Sequence, residues 1–285
     1  MKVISTVNEL QYQIRKMHLA PIGFVPTMGA LHEGHLSLVK SAVTQCPVVV
    51  VSIYVNPTQF NDKNDLKNYP GTLDNDLALL EKVLRETDIV FTPGNKEIYP
   101  EEDKREFRFG NLDNVMEAMH RPGHFNGVAQ VVNRLFEIVR PDIAIFGMKD
   151  FQQLAVIKEL VRQTGNKVKI IGNPIIREND GLAMSSRNML LEPGIRKDAS
   201  IIYKTISSAS SMITGHDIPE IKSFVENSIN NIPEFKVEYF DIVDDTELIP
   251  VSKQGEMKKG KRYFGCIAVR AGKIRLIDNI EIGLV

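Results

Sequence analysis

At 285 residues, 43% hydrophobic and 25% charged, the chain has the composition of a soluble globular protein, long enough for one large core or two domains. Basic and acidic residues nearly cancel, 35 against 36 for a net charge of −1, so neither a nucleic-acid nor a membrane-surface partner is expected and an anionic ligand must be met by local groups. Two cysteines in apolar patterns, Cys46 and Cys266, and no apolar run near the roughly 20 residues that span a bilayer leave a cytoplasmic protein with buried thiols as the expectation.

The first element to stand out is a short apolar strand, 23–25, running into Pro26-Thr27-Met28-Gly29-Ala30-Leu31-His32-Glu33-Gly34-His35. Leu36, Val39, Ala42, Val43 and Cys46 then recur on one face of a helix, predicted to begin near Gly34. A strand end, a glycine turn, two imidazoles and a helix start in so short a stretch are the parts of a triphosphate site. The first N–H groups of a helix lack internal partners and carry partial positive charge. Gly34 has no Cβ to hold a ligand off, and His32 and His35 can give hydrogen bonds or a proton to oxygens on which charge accumulates. Zinc is the competing reading of His-x-x-His, but no third ligand cluster and no Cys-x-x-Cys accompany it.

Residues 47–55 form a nearly unbroken β-branched run, the pattern of a strand buried on both faces of a parallel sheet, ended by Asn56-Pro57. A polar loop (61–69), a helix over 72–85 and a strand over 88–91 follow, the last stopped by Pro93-Gly94. No element is assigned over 95–124, whose charged segment 101–108 reads as a solvated edge. From Asn126, Val128, Val131, Val132, Leu135 and Val139 mark the buried face of an amphipathic helix, followed by a strand over 143–146 ended by Gly147. Asp150 is placed to cap the next helix with Gln153 at its third position. A strand over 167–172 continues the βα alternation.

That alternation predicts an α/β fold, a doubly wound parallel (Rossmann-like) sheet whose ligands bind beyond the carboxyl ends of its strands. No Gly-x-Gly-x-x-Gly follows any of these strands, which weakens a dinucleotide reading. Composition changes near Asn188. Helices over 192–213 and 219–229 and strands over 237–243, 263–270 and 273–277 predict a second, smaller α+β domain. Residues 1–178 are accordingly taken as the nucleotide- and substrate-binding domain and 179–285 as the smaller domain that closes over the site.

Two later clusters fall where they would face the same crevice. In residues 146–153, Lys149 could reach phosphate oxygens, against the plainer reading of a surface lysine beside a helix cap. In residues 181–188, two hydroxyls and Arg187 sit at the domain junction, where a guanidinium can span phosphate oxygens bidentately; the plainer reading is a serine-rich linker.

PTMGALHEGH (26–35), VNPTQF (55–60), RPGHFNGV (121–128), FGMKDFQQL (146–154) and DGLAMSSRN (180–188), in this order, resemble the pantoate–β-alanine ligase family over essentially the whole chain. That family belongs to the nucleotidyltransferase superfamily with an HxGH loop. The resemblance implies ATP-dependent condensation of pantoate with β-alanine through a pantoyl adenylate, releasing pyrophosphate and then AMP. It implies ATP contacts from Met28, Gly29, Ala30, Leu31, His32, Glu33, Gly34 and His35, from Gly147, Met148, Lys149 and Asp150, from the Ile176 backbone at adenine, and from Met184, Ser185, Ser186 and Arg187. His35 is the implied catalytic acid, with His32, Lys149 and Arg187 completing the charge-stabilising set.

By the same resemblance, Gln59 and Gln153 hold pantoate, Gln59 also lies near the β-alanine amine, and Asn56 and Tyr69 are their neighbours. Mg²⁺ is expected on the β- and γ-phosphates, with Asp76 the one acid offered as its ligand, and the assembly is expected to be a homodimer. Loop 61–69 is expected to act as a lid. Many family members carry Glu where this chain has Met148. The alternative is a nucleotidyltransferase that forms a nucleotide-linked product from a small phosphorylated substrate. It would need basic groups for the acceptor phosphate, where this chain offers the neutral amides Gln59 and Gln153. A non-catalytic nucleotide-binding or RNA-associated module is opposed by the near-zero charge and by the retention of His32, His35, Lys149 and Arg187.

Overall fold

The computed structural model describes residues 1–60, 66, 67, 69 and 71–284. Six strands, β1 (Lys2–Ile4), β2 (Ile22–Thr27), β3 (Val48–Ile53), β4 (Ile89–Phe91), β5 (Ile143–Gly147) and β6 (Lys169–Asn173), form a wholly parallel sheet in the order β1-β4-β3-β2-β5-β6. The helices α1 (Val7–Met17), α2 (Glu33–Gln45), α3 (Leu73–Leu80), α4 (Asn95–Ile98), α5 (Met116–His120), α6 (His124–Val139) and α7 (Phe151–Thr164) lie between and after them. The β-branched run of β3 has a reason. Val49 and Val51 join Val25, Val90 and Ile145 under Leu36, Val39 and Ala42 of α2, while Val50 joins Phe24, Phe91 and Ala144 under α1, α6 and α7. A strand covered on both faces needs apolar residues at successive positions, each fully buried one contributing roughly 1.5–3 kcal/mol.

From β2 the chain passes to β3 on one side and later to β5 on the other. The strand order therefore reverses between β2 and β5, and the loops leaving Thr27 and Gly147 flank the crevice where such sheets bind ligands.

A second sheet, antiparallel, consists of β7 (Phe235–Asp244), β8 (Arg262–Ala271) and β9 (Ile274–Leu284). One face packs on α9 (Ile201–Met212) and α10 (Ile218–Asn230), reached after the short α8 (Pro193–Asp198), around Ile206, Val225, Ile242 and Ile267. The other face joins the first core. Phe264 meets Phe151 with ring centroids 4.4 Å apart, and Cys266 and Val243 belong to the same apolar cluster. Arg275 of β9 binds Glu117 of α5 through both carboxylate oxygens at 2.7 and 2.7 Å, and Tyr239 donates to Glu117 at 2.8 Å. The smaller unit is thus fastened to the larger by apolar packing and by a shielded ion pair.

The sequence reading differs from this fold in several places. It missed β1 and α1, although Thr6 caps α1 by accepting from the Glu9 N–H and Val7, Leu10, Ile14 and Met17 reach the core at helical spacing. The helix expected over 72–85 stops at Leu80, and the one expected over 192–213 is broken between Asp198 and Ile201. The unassigned stretch holds α4, a 3-10 turn (Gly110–Asp113) and α5. Asp150 occupies the cap position of α7 without a side-chain hydrogen bond, so the capping box with Gln153 is not formed. Of the expected lid, residues 61–65 and 68 lie outside the described residues.

Candidate active site

At the carboxyl end of β2 the backbone enters the left-handed region twice in succession, at Gly29 (φ +81) and Ala30 (φ +50). Such a turn persists only where surrounding contacts over-determine it. Here the fastener is Asp76, 2% exposed, whose carboxylate accepts from the Ala30 N–H at 2.9 Å, the Leu31 N–H at 2.8 Å and the Thr72 hydroxyl at 3.1 Å. A Cβ on Gly29 would lie 2.9 Å from the same carboxylate. Asp76, offered from the sequence as a metal ligand, instead holds the loop, because both of its oxygens are spent on buried backbone donors. Asp76→Ala should lower stability by on the order of 3 kcal/mol by stranding two buried N–H groups. Thermal melting with and without Mg²⁺ checks this: the same drop is expected in both, whereas a Mg²⁺-dependent difference would return Asp76 to the metal.

The two imidazoles cap α2 reciprocally. His32 Nδ1 accepts from the Gly34 N–H at 3.1 Å, and His35 Nδ1 accepts from the His32 N–H at 3.3 Å. The rings stand 4.1 Å apart, centroid to centroid. A nitrogen that accepts carries no proton, so each neutral ring keeps its hydrogen on Nε2. Burial, with the Lys149 charge nearby, lowers His32 to about 4; burial, His32 and Lys149 together lower His35 to about 3. Both rings are therefore neutral donors at pH 7 in the ligand-free protein. Gly34 is required for this arrangement, since a Cβ there would lie 2.7 Å from His32 Cε1.

This corrects the expected backbone cradle. The N–H groups of Gly29, Ala30, Leu31, His32, Gly34 and His35 all have partners within the protein. An anion in front of the loop meets imidazole N–H groups in their place. Glu33 is exposed beside Lys40, at 3.5 Å.

Across the crevice, the loop after β5 is held from the second sheet. Asn279 donates to the carbonyls of Met148 at 2.8 Å and Lys149 at 3.1 Å, and its neighbour Asp278 pairs with both guanidinium nitrogens of Arg177 at 2.6 and 3.0 Å. Arg177 also stacks over Tyr203, 3.8 Å from the ring centroid, and donates to the Gly181 carbonyl. One strand of the small unit, β9, thereby fixes the positions of Lys149 and, through Arg177, of the 181–188 loop. Sequence reasoning missed Asn279 and Asp278, for nothing in a β-strand pattern tells which polar residues reach another domain. In the 181–188 loop the Met184 N–H bonds the Ile176 carbonyl at 3.0 Å, and Ser185 Oγ accepts from the Arg187 N–H at 3.2 Å.

These loops surround one cleft of about 1250 Å³, its open mouth included. Met28, His32, Gly34 and His35 line it from the first loop, Gly147, Lys149 and Asp150 from the second, Ile176 from beyond β6, and Met184, Ser185, Ser186 and Arg187 from the third. Asn56, Gln59, Tyr69 and Gln153 line it as well. Gln59 Nε2 lies 2.8 Å from Met28 Sδ, and Asn56 Nδ2 bonds Gln59 Oε1 at 3.3 Å and the Gly127 carbonyl at 3.1 Å. The approach of α6 to this turn needs a glycine, since a Cβ at Gly127 would sit 2.5 Å from the Thr58 carbonyl oxygen.

Six residues expected at the site do not line the cleft: Gly29, Ala30, Leu31, Glu33, Asp76 and Met148. Met148 turns away toward Gly172, where its Cγ would lie 3.1 Å from an added Cβ. Conversely, Val128, Val131 and Val132, read as core, form an apolar wall of the cleft with Tyr54 and Phe146. Apolar spacing is the same for a cavity wall as for a core. Among the described residues, no group of three or more His, Cys, Asp or Glu side chains is arranged to hold a metal ion.

A family profile described as pantoate-beta-alanine ligase matches residues 2–281. The chain is 52% identical over 284 residues to a pantothenate synthetase of Azobacteroides pseudotrichonymphae, covering 98% of this chain and 99% of that protein. It is 51% identical to a pantothenate synthetase of Phocaeicola vulgatus over 99% of both. Among solved structures, pantothenate synthetase from Thermus thermophilus superposes with a TM-score of 0.89 at 41% identity, covering 99% of each chain. A pantoate-beta-alanine ligase from Francisella tularensis, complexed with beta-gamma ATP and beta-alanine, superposes with a TM-score of 0.77 at 34% identity over 99% of this chain and 98% of that one. By sequence, by fold and by the loops that meet at its cleft, the chain belongs to the pantoate–β-alanine ligase family.

Proposed function

We propose that the cleft carries out both half-reactions of the ligase through a pantoyl adenylate. As a member of its family, the chain is an enzyme that joins pantoate to β-alanine at the expense of ATP. A carboxylate cannot acylate an amine directly, because its leaving group would be oxide. In the first step a pantoate carboxylate oxygen bonds the α-phosphorus, the bond from that phosphorus to the bridging oxygen breaks, and pyrophosphate departs. In the second the amine nitrogen bonds the acyl carbon, the acyl–oxygen bond breaks toward AMP, and the former ammonium gives up two protons.

The observation that carries this reading is the meeting of His32, His35, Lys149 and Arg187 around one cleft from three separate loops. Extra negative charge develops on phosphate oxygens during the first step, and donors fixed beforehand stabilise it without reorganising. The two imidazoles serve as neutral Nε2–H donors at the outset. His35 as a catalytic acid, the role implied by resemblance, would require bound phosphates to raise its proton affinity well above the ligand-free value of about 3. The amides of Gln59 and Gln153 suit the hydroxyls and single carboxylate of pantoate, and the Val128, Val131 and Val132 wall suits its methyl groups. Ile176 borders adenine.

Mg²⁺ fits as an ion carried mainly by the phosphates, since Asp150 is the one carboxylate among the described residues lining the cleft. When bound it neutralises phosphate charge. The smaller unit, 179–285, is proposed to close over the site, its 181–188 loop lining the cleft and Asn279 holding the loop after β5. A homodimer and a cytoplasmic setting belong to the same proposal. No helix among the described residues is long and apolar enough to cross a membrane.

Pantoate-dependent exchange of labelled pyrophosphate into ATP, without β-alanine, tests the adenylate, and adding β-alanine should then release AMP. A nucleotidyltransferase of the alternative kind would release no AMP on that addition. Gln153→Ala should raise the pantoate KM about tenfold or more with an unchanged melting temperature, as loss of a substrate hydrogen bond does. A lowered melting temperature with an unchanged KM would instead mark Gln153 as structural.

A further inference from the structure

Lys149 carries its ammonium into the cleft on a long flexible stem, and among the described residues no hydrogen bond or ion pair holds that ammonium in the ligand-free protein. A flexible side chain without a partner is positioned by its backbone alone. What holds residues 148 and 149 therefore decides where the charge stands when phosphates arrive.

These residues form the turn between the end of β5 at Gly147 and the start of α7 at Phe151. On one side the Met148 N–H donates to the Asn173 carbonyl at 2.9 Å, continuing the pairing of β5 with β6. The helix does not secure the other side. Its Leu154 N–H returns to the Asp150 carbonyl, so its hydrogen bonding begins after the turn, and Asp150 adds no side-chain cap. The carbonyls of Met148 and Lys149 are taken up by Asn279 at 2.8 and 3.1 Å, and among the described residues they accept no other hydrogen bond. A side-chain amide has two N–H hydrogens and this turn offers two acceptors, so the match is complete.

Asn279 is itself held firmly. It is 4% exposed and pairs with Cys266 across the ladder of β8 and β9. Its N–H donates to Asp278 Oδ1 at 2.8 Å, and its carbonyl accepts from Arg177 Nη2 at 3.3 Å. Asn279 does not line the cleft, so any effect it has on a bound nucleotide passes through the turn.

We propose that Asn279 is a positioning residue for adenylation: from the second sheet it fixes the backbone of residues 148 and 149, so that the Lys149 ammonium faces the phosphate site before the phosphates bind. The proposal rests on the ligase reading and on the part given there to Lys149. Charge stabilisation is effective when the donor needs no reorganisation, and a misplacement of about 1 Å can cost on the order of a hundredfold in rate. Gln153 depends less on this fastener. It stands on α7, which Leu154, Val156, Ile157 and Leu160 pack into the larger core.

The test is a double-mutant cycle with Lys149. Asn279→Ala should lower kcat for pantoate-dependent pyrophosphate exchange, measured without β-alanine, by at least about tenfold while the pantoate KM stays within about threefold. In Lys149→Ala, adding Asn279→Ala should lower exchange by less than about threefold further, because the group being positioned is already gone. Unchanged exchange in Asn279→Ala, with or without a lowered melting temperature, overturns the proposal. So does an equal fold-loss in both backgrounds, which would make the effect of Asn279 independent of the lysine. If Asn279→Ala does not fold, a crystal structure of the parent enzyme with ATP decides. Asn279 Nδ2 should keep both carbonyls while Lys149 Nζ meets a phosphate oxygen, and a turn released from Asn279 in that complex overturns the proposal. Full exchange in Lys149→Ala alone removes the lysine and this proposal with it, whereas absence of exchange in the parent enzyme is the failure of the ligase reading itself.

Discussion

Replacing His35 by Ala is expected to lower pantoate-dependent pyrophosphate exchange by at least about a hundredfold, the usual loss when one donor aimed at developing charge is removed. His35 has two functions, and the variants can separate them. Its Nδ1 accepts the His32 N–H at the start of α2, and its Nε2–H belongs to a ring lining the cleft. Loss of the cap alone costs about 1 kcal/mol of stability. In His35→Asn, the amide oxygen can take over the Nδ1 role but nothing replaces the Nε2 donor. Stability should therefore return toward that of the parent enzyme while exchange stays as low as in His35→Ala. Should His35→Asn recover exchange along with stability, His35 would be a capping residue and the charge-stabilising role would fall to other groups.

Lys149→Ala should cost about a hundred- to a thousandfold in the same exchange assay, with little change in melting temperature. The side chain lines the cleft, and the structure gives its ammonium no hydrogen bond or ion pair among the described residues, so truncation strands no partner. Its carbonyl, held by Asn279, is untouched by the substitution. A second readout follows from the electrostatics. Lys149 helps hold His32 and His35 below the ordinary imidazole range, so both rings should titrate at higher pH in the variant, as followed by histidine ring proton resonances. Lys149→Arg should not restore full activity, because a planar fork replaces a compact charge. Unchanged exchange in Lys149→Ala would remove the lysine from the chemistry.

How far the site was legible depended on how local its determinants are. The parallel sheet was plain from the apolar runs of β3 and β5 and their Gly and Pro stops, because burial on both faces leaves a mark at every position. The imidazole loop was plain as a motif, but its working was not. Two histidines before a helix suggested backbone donors free for phosphate, whereas the rings themselves take up those donors through Nδ1. Asp76 illustrates the other limit: its backbone partners in the loop are more than forty residues away in sequence, so as a lone acid in a helical pattern it could be read as a metal ligand or as solvated. Asp150 and Gln153 match a capping box in spacing, and only coordinates separate that from two residues facing a ligand.

The most direct measurement is a crystal structure of the enzyme soaked with ATP and pantoate in the absence of β-alanine. A pantoyl adenylate is expected in the cleft, with phosphate oxygens within hydrogen-bond distance of His35 Nε2 and Lys149 Nζ and the acyl group against Gln153. Nucleotide phosphates bound away from both of those groups would contradict the convergence on which the whole account depends.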